Sequence, residues 1–285
     1  MSTNSVKPGK LCIYHANCLD GFGAAWAVYH ALGEGVTFYA GIHAQRPPCV
    51  DGMDVFLVDV SYKKEILLDM LETAASITIL DHHVSAAEDL SELLDTGKIN
   101  GLFDMNKSGA MLAWEWFNQD QQAPVLIKHI QDRDLWSFEL DGTREIYSAL
   151  SSYPADFEVW DKLMSNNEHE LAALKNEGVA IERKLQKDIE QLIASGVRRM
   201  TIGGYDVPVL NAPAAYVSDA GNIMSIGEPF AACYWDHANG RSFSLRSNGL
   251  DEENSVNVAE VAKNYGGGGH KNAAGFTVEN GWEGE

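Results

Sequence analysis

Three short apolar runs, each ending on ionisable residues, constrain this chain more than any other feature. The run 11–15 (LCIYH) closes on His15, the run 54–60 (DVFLVDV) carries Asp59 near its end, and the run 76–81 (SITILD) leads into Asp81-His82-His83. Short continuous apolar runs bounded by polar turns read as strands covered on both faces. Between and after them, 21–33, 64–75, 85–95 and 108–117 have the patterning of helices, and 36–40 (VTFYA) reads as a further strand. Such β-α-β alternation predicts an α/β fold with a largely parallel sheet and helices on both faces. In sheets of that kind ligands gather at the carboxyl ends of the strands. Those ends are where His15, Asp59, Asp81, His82 and His83 stand.

The second half changes character. Apolar residues at 171, 174, 181, 185, 189 and 192 predict one long helix over 167–195, stopped at Gly196. Beyond it, TIGGYDVPVLN, PFAACYW and RSFSLRS read as strands, VNVAEVAKNY (256–265) as a helix and AAGFTV as a closing strand. The expected division is a first domain over 1–160, a helical connector over 161–197 and a smaller α/β domain over 198–285. A chain of 285 residues is longer than one core usually carries, which agrees with two domains.

Charge narrows the partners. With 21 Lys+Arg against 41 Asp+Glu the formal net charge is −20. Proteins that grip long nucleic acids need basic surface to neutralise phosphates, so long duplex DNA is not an expected partner. A small anion remains compatible, provided that metal ions and a few arginines dominate the local field. The four cysteines (Cys12, Cys18, Cys49, Cys233) are scattered and form no CxxC pair, which suits a reducing, cytoplasmic setting. MSTNSVKPGK has no apolar stretch of a signal peptide, and no run approaches the roughly 20 apolar residues of a membrane span.

Taken singly, the polar groups are modest signals. His15 and Asp20 lie on a turn, ahead of Gly21, where an imidazole and a carboxylate often only cap a helix. Asp59 could cap the helix that follows it, and Asp132-Arg133-Asp134 could be a surface ion-pair patch. Adjacent histidines after an aspartate at a buried strand end are less ordinary, because two imidazoles there need hydrogen bonds or ligands. As a set, His and Asp offer nitrogen and oxygen ligands without a thiolate cluster, which suits Mn²⁺, Mg²⁺, Fe²⁺ or Zn²⁺. Several carboxylates on converging strand ends fit a two-metal hydrolytic site, with ions roughly 3.5–4 Å apart. Further on, Arg246 and Ser247 end the run SFSLRS, and Gly266-Gly267-Gly268-Gly269-His270-Lys271-Asn272 follows. Consecutive glycines let backbone N–H groups form a nest for a phosphate or carboxylate, and Arg246 can add a bidentate fork.

In this order the residues resemble the DHH phosphoesterase family with its C-terminal DHH-associated substrate-binding domain. The strongest points are DHH at 81–83 and SLRS…GGGGHKNAAGF at 244–276, and the similarity spans roughly 10–278. The resemblance implies a typically Mn²⁺-dependent hydrolase of short nucleotides: an oligonucleotide exonuclease or nanoRNase, a cyclic-dinucleotide phosphodiesterase, or an adenosine-bisphosphate phosphatase. A non-catalytic nucleotide sensor is the reading from another class. It implies Asp59 as the carboxylate bridging two ions, Asp20, His82 and Asp132 on one ion, and His15 on the other. His83, backed by Asp81, would serve at the scissile phosphate. Arg246, Ser247, Gly267, Gly268, Gly269 and His270 would hold a short oligonucleotide or dinucleotide between the domains, and a homodimer is among the expectations. The sequence departs from the family pattern at Leu19, which stands where a carboxylate is usual. Asn17 or Cys18 would replace it, or the His15 side would hold its ion loosely. The reading favours a loose site assisted by Asn17, with Cys18 as a packing residue.

Overall fold

The computed structural model describes residues 9–42, 45–165, 167–248 and 256–285. Residues 1–8, which include most of the N-terminal stretch read above, lie outside the described residues. The chain divides into two compact units, Met1–Glu182 and Arg183–Glu285.

In the first unit five strands form one parallel sheet: β1 (Gly9–His15), β2 (Val36–Gly41), β3 (Met53–Val58), β4 (Ser76–Asp81) and β5 (Asn100–Phe103), in the spatial order β2-β1-β3-β4-β5. The helices are α1 (Leu19–Leu32), α2 (Lys64–Leu71), α3 (Val84–Asp95), α4 (Gly109–Phe117), α5 (Val125–Asp134), α6 (Thr143–Leu150) and α7 (Phe157–Leu163). Side-chain alternation along the strands divides them between two cores. Leu11, Ile13, Val55, Leu57, Ile77 and Ile79 pack on Leu67 and Met70 of α2 and Leu90 and Leu93 of α3. Cys12, Val58 and Leu80 face the opposite way, against Phe22, Trp26, Leu112, Trp114, Ile130 and Trp160 from α1, α4, α5 and α7. Burial on both faces fixes register, because a slip of one residue would exchange the two sets. The α/β class with helices on both faces is therefore the observed architecture. The order of strands reverses between β1 and β3, the kind of switch point at whose carboxyl ends such sheets bind ligands.

Helix α8 (Glu168–Gly196) runs through the boundary between the units. Its first part belongs to unit one: Leu174 enters the core, Glu182 accepts from the Ser148 hydroxyl at 2.6 Å, and Lys175 pairs with Asp141. Its last part, through Ile189, belongs to unit two. The boundary at 182 falls inside the stretch expected as a helical connector, 161–197, most of which is α8, while α7, whose Trp160 is wholly buried in the first unit's core, belongs with that unit.

The second unit is a six-stranded sheet of β6 (Arg198–Ile202), β7 (Tyr205–Asn211), β8 (Ala231–His237), β9 (Gly240–Arg246), β10 (Gly268–His270) and β11 (Ala273–Val278), in the order β10-β11-β9-β8-β7-β6. All its neighbours are antiparallel except β7 and β8. Helix α10 (Val258–Lys263) covers one face through Val258, Val261 and Ala262. Helix α9 (Val217–Met224) and the end of α8 cover the other. Among the described residues, no helix is long and apolar enough to cross a membrane.

Candidate metal centre

The ends of β1, β3 and β4 converge with the start of α1 and the end of α5. Each contributes an ionisable side chain. Asp59 stands one residue past β3 with φ 58°, a left-handed conformation that costs a non-glycine residue on the order of 1–3 kcal/mol and concentrates at functional sites. Its two carboxylate oxygens face different histidines. Oδ1 lies 3.2 Å from His82 Nε2, and Oδ2 lies 3.4 Å from His15 Nδ1. Oδ2 is buried yet makes no aligned hydrogen bond.

His82 Nε2 is also 3.5 Å from Asp134 Oδ2 and 3.9 Å from Asp20 Oδ2. Among the groups of candidate ligands are Asp20, His82 and Asp134 on one side, and His15, Cys18 and Asp59 on the other. In each group the ligand atoms lie within 4.8 Å of one another. Burial raises the pKa of Asp20 and of Asp134, and the charge of Asp59 adds to both. Burial alone would lower His82, but the hydrogen bond to Asp59 and the surrounding carboxylates raise it above the ordinary imidazole value. A site that forces protons onto its histidines is one that favours a cation, and the donors are the oxygen and imidazole types that Mn²⁺ or Mg²⁺ accepts. The residues present therefore fit a divalent metal centre.

Helix α4 completes the floor. The backbone N–H groups of Gly109 and Ala110 donate to Asp20 at 2.6 and 3.0 Å. A Cβ at Gly109 would stand 2.4 Å from Asp59 Cβ, so only glycine lets this helix end approach so closely. Asp81 is fully buried and has a different task. Ser61 Oγ donates to its Oδ2 at 2.6 Å, the His82 N–H donates to Oδ1 at 2.7 Å, and His83 Nδ1 bonds Oδ1 at 2.7 Å. Burial raises the Asp81 pKa, but the charge and hydrogen bond of His83 outweigh it and hold the carboxyl at about 2. Asp81 therefore orients His83 and fixes which ring nitrogen points away.

Three expectations change. Asp132 lies outside the cluster: its carboxylate accepts from Glu139 N at 2.8 Å, Leu140 N at 3.1 Å and the Thr143 hydroxyl. Two residues on, Asp134 at the end of α5 reaches His82 instead, with its side chain 26% exposed. The helical turn, not the spacing, decides which carboxylate faces the cluster. Asn17 has φ 57° and an exposed side chain; it makes the turn after β1 and joins neither group, whereas Cys18 joins His15 and Asp59. In sequence DRD offers both carboxylates, and spacing alone does not choose between Asp132 and Asp134. For Ser108-Gly109-Ala110 the signal was small residues at a helix start.

In the second unit the glycine run forms strand β10 rather than an open nest. A Cβ at Gly267 would meet Gly275 O at 2.1 Å, and one at Gly269, where φ is 140°, would meet Ala273 O at 2.6 Å. These glycines let β10 lie close on β11. Ser247 is buried, and its hydroxyl donates to Asn272 Oδ1 at 3.1 Å, fastening the turn that follows His270. Arg246 donates to Ser244 Oγ and Leu245 O at 2.8 Å and to Ser218 Oγ at 2.9 Å.

The fold is an α/β one with a five-stranded parallel sheet and a second sheet, and its cluster fits a divalent cation. No family model matches the chain. An uncharacterized protein of Acanthamoeba polyphaga mimivirus is 28% identical over 291 residues, covering 93% of this chain and 66% of the relative, so the chain spans less than two thirds of that relative's length. Among solved structures, RecJ from Thermus thermophilus in complex with Mn²⁺ aligns with TM-score 0.50 and 16% identity over 95% of this chain and 49% of RecJ. A pGpG-specific phosphodiesterase, PggH from Vibrio cholerae, aligns with TM-score 0.44 and 12% identity, covering 96% of this chain and 94% of PggH. An uncharacterized Helicobacter pylori protein aligns with TM-score 0.43 and 14% identity, covering 97% and 94%.

Proposed function

We propose that the chain is a divalent-metal-dependent phosphodiesterase that hydrolyses short nucleotide substrates. The observation that carries this reading is the placement of Asp59, whose two oxygens face His82 and His15 in two adjoining ligand groups. A carboxylate so placed suits the bridge of a two-metal site. Asp20, His82 and Asp134 would hold one ion, and His15 with Cys18 the other. Mn²⁺ is the expected ion, on the donor set. Bound there, such ions lower the pKa of water and offset charge on the phosphoryl oxygens. The chain's own residues do the rest. Asp81 holds His83 through Nδ1, so that the other nitrogen can give a proton to the leaving oxygen. The N-terminus of α4 keeps Asp20 in place. We assign capture of the nucleotide to Arg246 and the Gly267–His270 segment of the second unit, with Ser247 fastening them.

A turnover screen with Mn²⁺ over linear dinucleotides, cyclic dinucleotides and adenosine bisphosphate tests the reading. Hydrolysis of a linear dinucleotide is the expected result. Tight Mn²⁺ binding with no hydrolysis of any of the three would replace the enzyme by a sensor.

A further inference from the structure

Ser61 lies two residues past Asp59, and its hydroxyl touches the carboxylate that holds His83. The Asp59 N–H still donates to Leu80 O at 2.9 Å, and the left-handed turn at Asp59 then carries the chain to the end of β4. Val60 and Tyr62 are buried in the core under α2 and α3, and they leave Ser61 half-buried between them. From there Ser61 Oγ donates to Asp81 Oδ2 at 2.6 Å. The other oxygen, Oδ1, takes the His82 N–H at 2.7 Å, the His83 N–H at 3.3 Å and His83 Nδ1 at 2.7 Å. Among the described residues Ser61 is the one donor to Oδ2, and Asp81 is fully buried, so bulk water does not replace it. Starting helix α2 does not explain Ser61, because the Lys64 N–H at the head of that helix donates to Asp89 Oδ2 at 3.0 Å.

We propose that Ser61 is a positioning residue for His83, acting through Asp81. This rests on the phosphodiesterase reading and deepens it, by naming what holds the proton donor in place. A buried carboxylate oxygen deprived of its donor is costly. Without Ser61 the Asp81 carboxylate turns toward another donor, and the His83 ring bonded to Oδ1 turns with it. Proton transfer by an imidazole depends on a third group that fixes the ring. In the hydrolysis, a water oxygen bonds to phosphorus while the P–O bond to the departing nucleoside breaks. The water gives up one proton, and one passes from His83 to the departing oxygen. A nucleoside oxygen is strongly basic and needs that proton, whereas a nitrophenolate departs as a stable anion. The effect of Ser61 therefore follows the leaving group.

Kinetics on two substrates with Mn²⁺ tests the assignment: a linear dinucleotide, and the p-nitrophenyl ester of one of its nucleotides. S61A should lower kcat for the dinucleotide about thirtyfold, part of the whole effect of a general acid, and shift KM less than about twofold. Its loss on the nitrophenyl ester should stay under about threefold. S61T keeps the hydroxyl and should keep at least about half of the wild-type kcat. Should S61A not fold, S61C, with a weak donor of similar size, takes its place in the same comparison. Mn²⁺ affinity of the variant, read by calorimetry, should stay within about threefold of wild type, since no first ligand is removed. Equal losses on the two substrates, an unchanged kcat on the dinucleotide, or a larger loss of Mn²⁺ affinity overturns the role of Ser61 and leaves the phosphodiesterase reading standing. A wild type that hydrolyses neither ester overturns that reading, and the role of Ser61 with it.

Discussion

The two polar assemblies of this molecule are built on opposite terms. In the first unit, Asp20, Asp59 and Asp134 crowd around His82 at a sheet switch point, one of them on a strained backbone and with a buried oxygen lacking an aligned hydrogen bond. Protonated histidines offset part of that charge, and a bound cation would offset the rest. In the second unit, Arg246 is tied to Ser218 and Ser244, Ser247 to Asn272, and the glycines to close strand packing. The glycine run, which in sequence looks most like a ligand cradle, has a structural reason to exist that Asp59 lacks. A site prepared for chemistry is recognised by what its own residues leave unbalanced.

The sharpest way to break this contrast is to remove its centre. Asp59→Ala should abolish dinucleotide hydrolysis, by at least a thousandfold, and eliminate Mn²⁺ binding in calorimetry. Mn²⁺ at a hundred times its Kd should stabilise the wild type by about 2.7 kcal/mol in a thermal melt, and the variant not at all. Near wild-type turnover of Asp59→Ala at saturating Mn²⁺ would show that the imbalance has another purpose.

Asp132 and Asp134 sharpen it within a single helical turn. Asp134→Ala should lower Mn²⁺ affinity about tenfold or more, as loss of a ligand does, with little change in melting temperature. Asp132→Ala should instead cost roughly 2–4 kcal/mol of stability, because two backbone N–H groups and a hydroxyl lose their acceptor. Chemical denaturation and metal titration of both variants decide the assignment. Interchanged outcomes would restore Asp132 as the ligand.

That pair also shows what the sequence could and could not tell. Buried strands ending in His15, Asp59 and Asp81 were legible, because continuous apolar runs and their polar ends are local properties. The β-α-β alternation made the parallel sheet legible too. Which of two carboxylates in DRD faces the cluster was not, since it depends on how the end of α5 meets β4. Helices α6, α7 and α9 carried too few periodic residues to separate from loops. TIGGYDVPVLN read as one strand, but Gly203 and Gly204, with φ of 60° and 81°, turn it into the β6–β7 hairpin. The role of the glycine run required knowing that β11 lies against it.

The second unit answers to gentler changes. Gly269→Ala should destabilise the protein by about 1–3 kcal/mol, through its positive φ and the contact with Ala273 O. Arg246→Ala should raise KM for a dinucleotide about tenfold and change kcat much less, the pattern of lost uniform binding. A fall in kcat equal to the fall in kcat/KM would place Arg246 with the reacting groups, and the contrast between the units would weaken.

The smallest expected effect falls on Cys18, on the turn between β1 and α1. Its thiol lies within 4.8 Å of ligand atoms of His15 and Asp59, whereas Asn17 turns the chain and has an exposed side chain. Burial and the charges of Asp59, Asp134 and Asp20 hold the Cys18 thiol well above its usual range, so no thiolate stands ready. A cation in the site would reverse that balance, since a coordinating thiol gives up its proton. Cys18→Ser keeps the size and a weaker oxygen donor, so hard ions should lose little and soft ions more. Mn²⁺ affinity at the weaker of two sites should therefore change less than threefold, while Zn²⁺ affinity there should fall about tenfold or more. An equal loss for both ions would make Cys18 a ligand required by either metal. No loss for either would return it to packing and leave His15 and Asp59 to hold the second ion alone.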